Sequence, residues 1–149
     1  MKRRIHWIAL LIMSLLAACA GKDTPLPTGP PELRVTDISP LSVRQFVDSV
    51  DLVLFYADPE GDLGSEDPDD KTLWVKDSRL AEADLYHVRP LSPPEGDPVS
   101  IQGTLVVRLK SVFLLGNGQS EQITYSVKIR DKAGNWSETD IAPTITVTQ

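Results

Sequence analysis

Residues 58–70 read Asp-Pro-Glu-Gly-Asp-Leu-Gly-Ser-Glu-Asp-Pro-Asp-Asp and hold seven of the chain's 21 acidic residues in thirteen positions. Like charges packed this closely repel. Such a loop is either strongly solvated or organised around something positive. Asp58, Glu60 and Asp62 are spaced i, i+2, i+4, and Gly61 and Gly64 permit tight turns between them. Hard cations such as Ca²⁺ take six to eight oxygens from carboxylates and backbone carbonyls. The loop can supply several, with Asp67 and Asp69 as further candidate ligands. It is not an EF-hand: Leu63 stands where that loop needs Gly, and Asp69 stands where it needs Glu. The competing reading is a solvated acidic surface that aids solubility.

A second stretch, Asp131-Lys-Ala-Gly-Asn-Trp136, has the composition of an Asx-type turn with Gly134 at a positive φ. If strands alternate up and down, the links 58–71, 90–98 and 131–140 share one end. Asp131 and Asn135 then join the acidic loop, with Glu95 and Asp97 in the link 90–98. The expected Ca²⁺ ligands are Asp58, Glu60, Asp62 and Asp131, with Asp67, Asp69 and Asn135 as additional oxygens. Cadherin-like modules use comparable acidic loops for Ca²⁺, which is analogy only.

Other chemistry is sparse. His87 is the only histidine beyond the first few residues, and neither a nucleophile–His–acid spacing nor a histidine metal cluster is visible. A carboxylate pair for hydrolysis can be drawn from any acidic loop, so the expectation is no enzyme, with a hydrolase as the weakest alternative. Trp74 and Trp136 are expected to pack in the core or at its edge. Exposed, they would make a sugar or peptide platform.

The elements that must position these residues are strands. Val50, Leu52, Leu54 and Tyr56 alternate with Asp51, Val53 and Phe55, so both faces are partly apolar, as in a central strand. Ile123, Tyr125, Val127 and Ile129 alternate strictly with polar residues. Further strand-like runs occur at 33–38, 73–76, 85–88, 99–112 and 141–148, with Gly103 suggesting a bulge. About seven strands with turn signals between them predict an all-β, immunoglobulin-like antiparallel β-sandwich over residues 32–149. A small jelly roll or open barrel is the alternative.

The N-terminus is different. Lys2, Arg3 and Arg4 precede an apolar stretch, Ile5 to Ala18, that is too short to span a bilayer comfortably. Leu16-Ala-Ala-Cys19 resembles a bacterial lipobox. The resemblance implies a signal peptide over residues 1–18 and lipidation of Cys19, the only cysteine. Residues 19–31 then form a Pro-rich tether, with a membrane partner reached through acyl chains. Loss of the leader leaves 12 basic against 21 acidic residues, a balance of −9 that disfavours nucleic acid.

Ile38-Ser-Pro40, Tyr56-Ala-Asp-Pro-Glu-Gly-Asp-Leu-Gly64, Val75-Lys-Asp-Ser-Arg79, Ile101-Gln-Gly103 and Ile129-Arg-Asp-Lys-Ala-Gly-Asn-Trp-Ser137 follow one another along the domain. Together they resemble a group of uncharacterised Bacteroidota lipoproteins with an Ig-like or cadherin-like β-sandwich domain. The resemblance implies a cell-envelope domain and no catalytic residues. Ala20, rather than Asp, after Cys19 resembles the sorting signal for the outer membrane in diderm bacteria, so the expected place is an outer-membrane lipoprotein on the periplasmic face or the cell surface. The expected role is a structural or ligand-binding envelope module with a protein or glycan partner. A small subunit of an uptake or motility complex is the alternative.

Overall fold

The computed structural model describes residues 28–91, 99–110 and 112–149. The leader 1–18, Cys19, the tether as far as residue 27, and Glu95 and Asp97 lie outside the described residues. Among the described residues there is no helix.

Ten short strands are present: β1 (Glu32–Ser39), β2 (Ser42–Arg44), β3 (Val50–Asp58), β4 (Leu73–Asp77), β5 (Asp84–Tyr86), β6 (Ile101–Leu109), β7 (Ser120–Ile123), β8 (Tyr125–Ile129), β9 (Asp140–Ile141) and β10 (Ile145–Thr148). One layer has the order β1-β3-β6. The other is built from the ladders β2-β10-β7 and β5-β4-β8-β9. Those two ladders belong together because β8 continues β7 across Thr124 and β10 follows β9. The chain thus makes the two-layer sandwich of immunoglobulin type, with β3 central in its sheet as its two-sided apolar pattern requires.

Four details differ from the sequence reading. β2 pairs with β10 in parallel, so the sandwich is not antiparallel throughout. The long run 99–112 contributes only Ile101–Leu109 as strand. Gly103 is no bulge: β3 and β6 keep an unbroken register through Tyr56↔Gly103. A Cβ at Gly103 would lie 2.6 Å from the Tyr56 hydroxyl, so the glycine makes room for that ring. The register shift falls in β1 between Val35 and Asp37, where the alternation of 33–38 is imperfect.

Alternation decides which side chains meet. On β3, Val50, Leu52, Leu54, Tyr56 and Asp58 point inward. On β8 and its continuation, Tyr125, Val127, Ile129 and Asp131 do the same. These rows belong to the two facing layers and form the middle of one apolar core with Leu33, Leu73, Val107, Ile145 and Val147. A slip of one residue in either ladder would turn its row to solvent.

Candidate metal site

Each inward row ends in a carboxylate. Asp58 takes the position after Tyr56, and Asp131 the position after Ile129; they are 0% and 2% exposed. The two strands therefore carry acidic groups toward each other from facing layers, where the next apolar pair would otherwise pack. Leu63 makes an isolated bridge with Asp131 and draws the acidic loop across the gap. Carboxylate oxygens of Asp58, Glu60, Asp62 and Asp131 all lie within 4.8 Å of one another.

The loop is held in place by its backbone. Gly61 (φ 70°) and Gly64 (φ 84°) adopt the left-handed region, and a Cβ would come within 2.0 Å of the Val99 carbonyl and 2.2 Å of the Arg89 carbonyl respectively. No side chain fits at either point. Ser65 N–H donates to Val88 O, and Leu91 N–H to Leu63 O. His87 Nε2 lies 2.7 Å from the Ser65 carbonyl. The histidine thus buttresses the loop, a role with no signal in its sequence neighbourhood.

Hydrogen bonds position the carboxylates but leave them under-satisfied. Asp62 N–H donates to Asp58 Oδ2 at 2.7 Å. Asp58 Oδ1, Glu60 Oε2 and Asp62 Oδ1 are buried with no hydrogen-bond partner. In the Asp131 turn, with Gly134 at φ 93°, Asn135 donates its N–H to Asp131 Oδ1 at 2.7 Å and its Nδ2–H to Oδ2 at 2.9 Å. Each of these oxygens keeps a second lone pair for another partner. Among the described ion pairs, no Lys, Arg or His reaches any of the four carboxylates. Burial holds the Asp58 carboxyl above its ordinary range; the Asp62 N–H opposes this, while the charges of Asp62 and Asp131 add to it. A buried carboxylate without a partner is costly, by several kcal/mol after relaxation, so the arrangement asks for a cation.

The donor set fits a hard one. All four ligands are carboxylates, and the cluster has neither the thiolate nor the imidazole that Zn²⁺ favours. Two oxygens on opposite sides of a Ca²⁺ stand about 4.8 Å apart at ordinary Ca–O distances, which matches the spread of these atoms.

The other expected ligands fall elsewhere. Asp67 and Asp69 are exposed, outside the cluster, and engaged with each other: Asp69 N–H donates to Asp67 Oδ1 at 2.9 Å. Asn135 is a donor to Asp131 and orients it. Asp70 is taken by Arg130. Thr72, buried beside the loop with an unpartnered Oγ1, is a polar group that sequence reading did not single out.

The tryptophans also depart from expectation. Neither joins the core. Trp74 stands on the outer face of β4 opposite Lys128 of β8, whose Nζ lies 5.1 Å from its ring centroid. Trp136 pairs across a bridge with Arg130, is 37% exposed, and lies 4.8 Å from the same Nζ.

No protein-family model and no curated protein matches the chain. Among solved structures, the chain is similar to the crystal structure of a mutant of the SrpA adhesin from Streptococcus sanguinis, with 15% identity and a TM-score of 0.36. The match covers 82% of this chain and 58% of that one. Likeness at this level speaks to neither ligand nor activity.

Proposed function

We propose that this chain is an Ig-like module of the cell envelope, anchored by lipid at Cys19, whose acidic loop and Asp131 turn are locked together by one Ca²⁺. The observation that carries the metal reading is the pair of inward carboxylates, Asp58 and Asp131, at the ends of facing strands, together with buried oxygens of Asp58, Glu60 and Asp62 that no protein group satisfies. The ion would bridge the two layers at Asp58 and Asp131 and draw in Glu60 and Asp62. It would do for this cysteine-poor domain what a disulfide does elsewhere, tying distant segments of the folded chain. Its role is structural. A cleft of about 540 Å³ lies elsewhere, between β5 and β6, lined by Val75, Tyr86, Arg108 and Tyr125, and none of the four carboxylates lines it.

The test is a thermal melt of the full-length chain in detergent with Ca²⁺ and with chelator. An ion that binds only the folded state contributes about 2.7 kcal/mol at a hundredfold excess over Kd. That corresponds to a rise of roughly 5–15 °C for a domain of this size. Mg²⁺ does less, because it demands stricter geometry and dehydrates reluctantly. Asp62→Asn removes most of the Ca²⁺ effect and moves the chelator melt little. Coincident melts in Ca²⁺ and chelator would reject the metal and leave a solvated acidic loop. The anchor is tested separately: a fatty-acid probe labels wild-type protein in cells, and equal label on Cys19→Ala would reject lipidation.

A further inference from the structure

We propose that the outer face of the β5-β4-β8-β9 ladder is a binding site for an acidic saccharide, recognised by Lys128 between two indoles. Register builds a row across this face. Leu85 of β5 stands opposite Trp74, and Trp74 opposite Lys128. Trp136 closes the row, with Lys128 Nζ at 5.1 and 4.8 Å from the two indole centroids. Neighbouring strands are about 4.8 Å apart, so the row from β5 to the turn beyond β8 is roughly 15 Å long, the length of a few sugar rings.

The charge on this face runs against that of the chain. The sequence has 21 acidic and 15 basic residues, yet the outward positions of β4 and β8 are Trp74, Lys76, Ser126 and Lys128, with no acid. Arg130, which lies 5.7 Å from the Trp136 ring, is already paired with Asp70. Among the described residues, neither Lys128 nor Lys76 makes an ion pair. An ammonium carries three donors, and stacking against rings uses its charge without giving it an acceptor. The two indoles fix the Lys128 head and shield it partly from water, which strengthens a charge-assisted bond to an incoming carboxylate.

The indoles also select what carries that carboxylate. A pyranose ring presents a flat face of C–H bonds that stacks on an electron-rich aromatic surface. Trp136 is 37% exposed and Leu85 53%, so apolar surface is available on both sides of the cation. A uronic acid combines a ring of this kind with one carboxylate. An acidic peptide supplies the charge without the ring. The site needs no metal: the turn that presents Trp136 is held by the Asn135–Asp131 hydrogen bonds.

The experiment is calorimetric titration of the full-length chain, in detergent and chelator, with tetragalacturonate, with neutral cellotetraose and with tetraglutamate. Tetragalacturonate binds, and the other two bind at least tenfold more weakly. Lys128→Gln and Trp136→Ala each weaken tetragalacturonate at least tenfold, while Arg44→Gln, on β2 in the other ladder, leaves it unchanged. Trp136→Phe, which keeps a smaller ring, gives an intermediate loss and covers the case in which the alanine variant does not fold. Equal binding of tetraglutamate would overturn the saccharide assignment. Unchanged affinity in Lys128→Gln, or no tetragalacturonate binding at all, would overturn the site. Because chelator is present throughout, either failure leaves the Ca²⁺ reading untouched.

Discussion

At the two ends of β4 the protein sequesters carboxylates from water in opposite ways. At its far end, Asp77 and Glu121 close on Arg79, whose Nη2 lies 2.7 Å from Asp77 Oδ2 and whose Nη1 lies 2.5 Å from Glu121 Oε2. Nη1 also donates to the Phe113 carbonyl at 2.9 Å. Backbone N–H groups of Leu115 and Gly116, followed by Arg79, hold Glu121 below its usual range. At the near end, Leu73 pairs with Ile129 beside the acidic cluster. There four carboxylates converge, none of them ion-paired among the described residues, and burial holds Asp58 above its usual range. One region carries its own counter-charge on a side chain. The other is arranged as though the counter-charge arrives from solution. A structural guanidinium cannot be removed by a chelator; an ion bound as proposed can, so on that proposal only one end of the domain is conditional on its surroundings.

Val127→Asp sharpens this comparison most, because it places a carboxylate where neither solution exists. Val127 is fully buried midway along the row that ends at Asp131. The substitution is expected to cost about 4 kcal/mol or more and to prevent folding, or nearly so, as seen by circular dichroism. An unchanged melt would mean that burial alone does not make a carboxylate costly here, and the contrast between the two ends would lose its basis. Arg79→Met comes next. It keeps an unbranched side chain but strips Asp77 and Glu121 of their cation and removes the guanidinium that lies 5.9 Å from the Phe113 ring centroid. The melting temperature is expected to fall on the order of 10 °C. Ca²⁺ should not restore it, since two carboxylates fixed for a guanidinium are not a cage of oxygens. Rescue by Ca²⁺ would show that the two ends are interchangeable.

Much of this was legible in period-two patterns. The strict alternation of Ile123 to Ile129 set one inward row, and the two-sided apolar character of Val50 to Tyr56 marked a central strand; which of its faces turns inward comes only with the fold, and two residues further along each row stand Asp58 and Asp131. The convergence of loop and turn followed from strands alternating up and down. Asp67 and Asp69 have the same chemistry as the clustered acids and lie in the same loop. Only the path of the chain beyond Gly64, hydrogen-bonded to residues 88–91, separates them from the site. That path depends on contacts far apart in sequence, including His87 against the Ser65 carbonyl. The tryptophans were misplaced for a related reason. Composition says that Trp is usually buried, whereas the parity of Trp74 against its buried neighbours Leu73 and Val75 already turned it outward. Gly103 looked like a bulge because a short window shows the missing side chain and not the Tyr56 ring that fills its place.

The smallest expected effect concerns Tyr125, which opens the inward row at the Arg79 end and feels both burial and the charges there. Burial pushes its hydroxyl up to about 12, the charge of Asp77 adds to this, and Arg79 opposes it. The ordinary value for tyrosine is about 10. Below that, folded and unfolded chains both keep the proton, and stability does not depend on this group. From about 10 upward the unfolded chain ionises first, so it binds fewer protons than the folded one and stability falls as pH rises. The contribution is therefore complete below pH 10 and lost as the pH climbs through about 12. Tyr125→Phe removes the dependence, so the difference in stability between wild type and variant should change across that window and stay level below it. Absorbance at the phenolate band should show Tyr125 ionising late; burial also holds Tyr86 above its ordinary value, and the Tyr125→Phe difference spectrum separates the two. In Arg79→Met the same tyrosine should ionise later still, because the guanidinium that favours the phenolate has gone while Asp77 remains. If Arg79→Met instead lowers that midpoint, the guanidinium does not act on Tyr125 as a charge, and the self-neutralised end of the domain is held by packing.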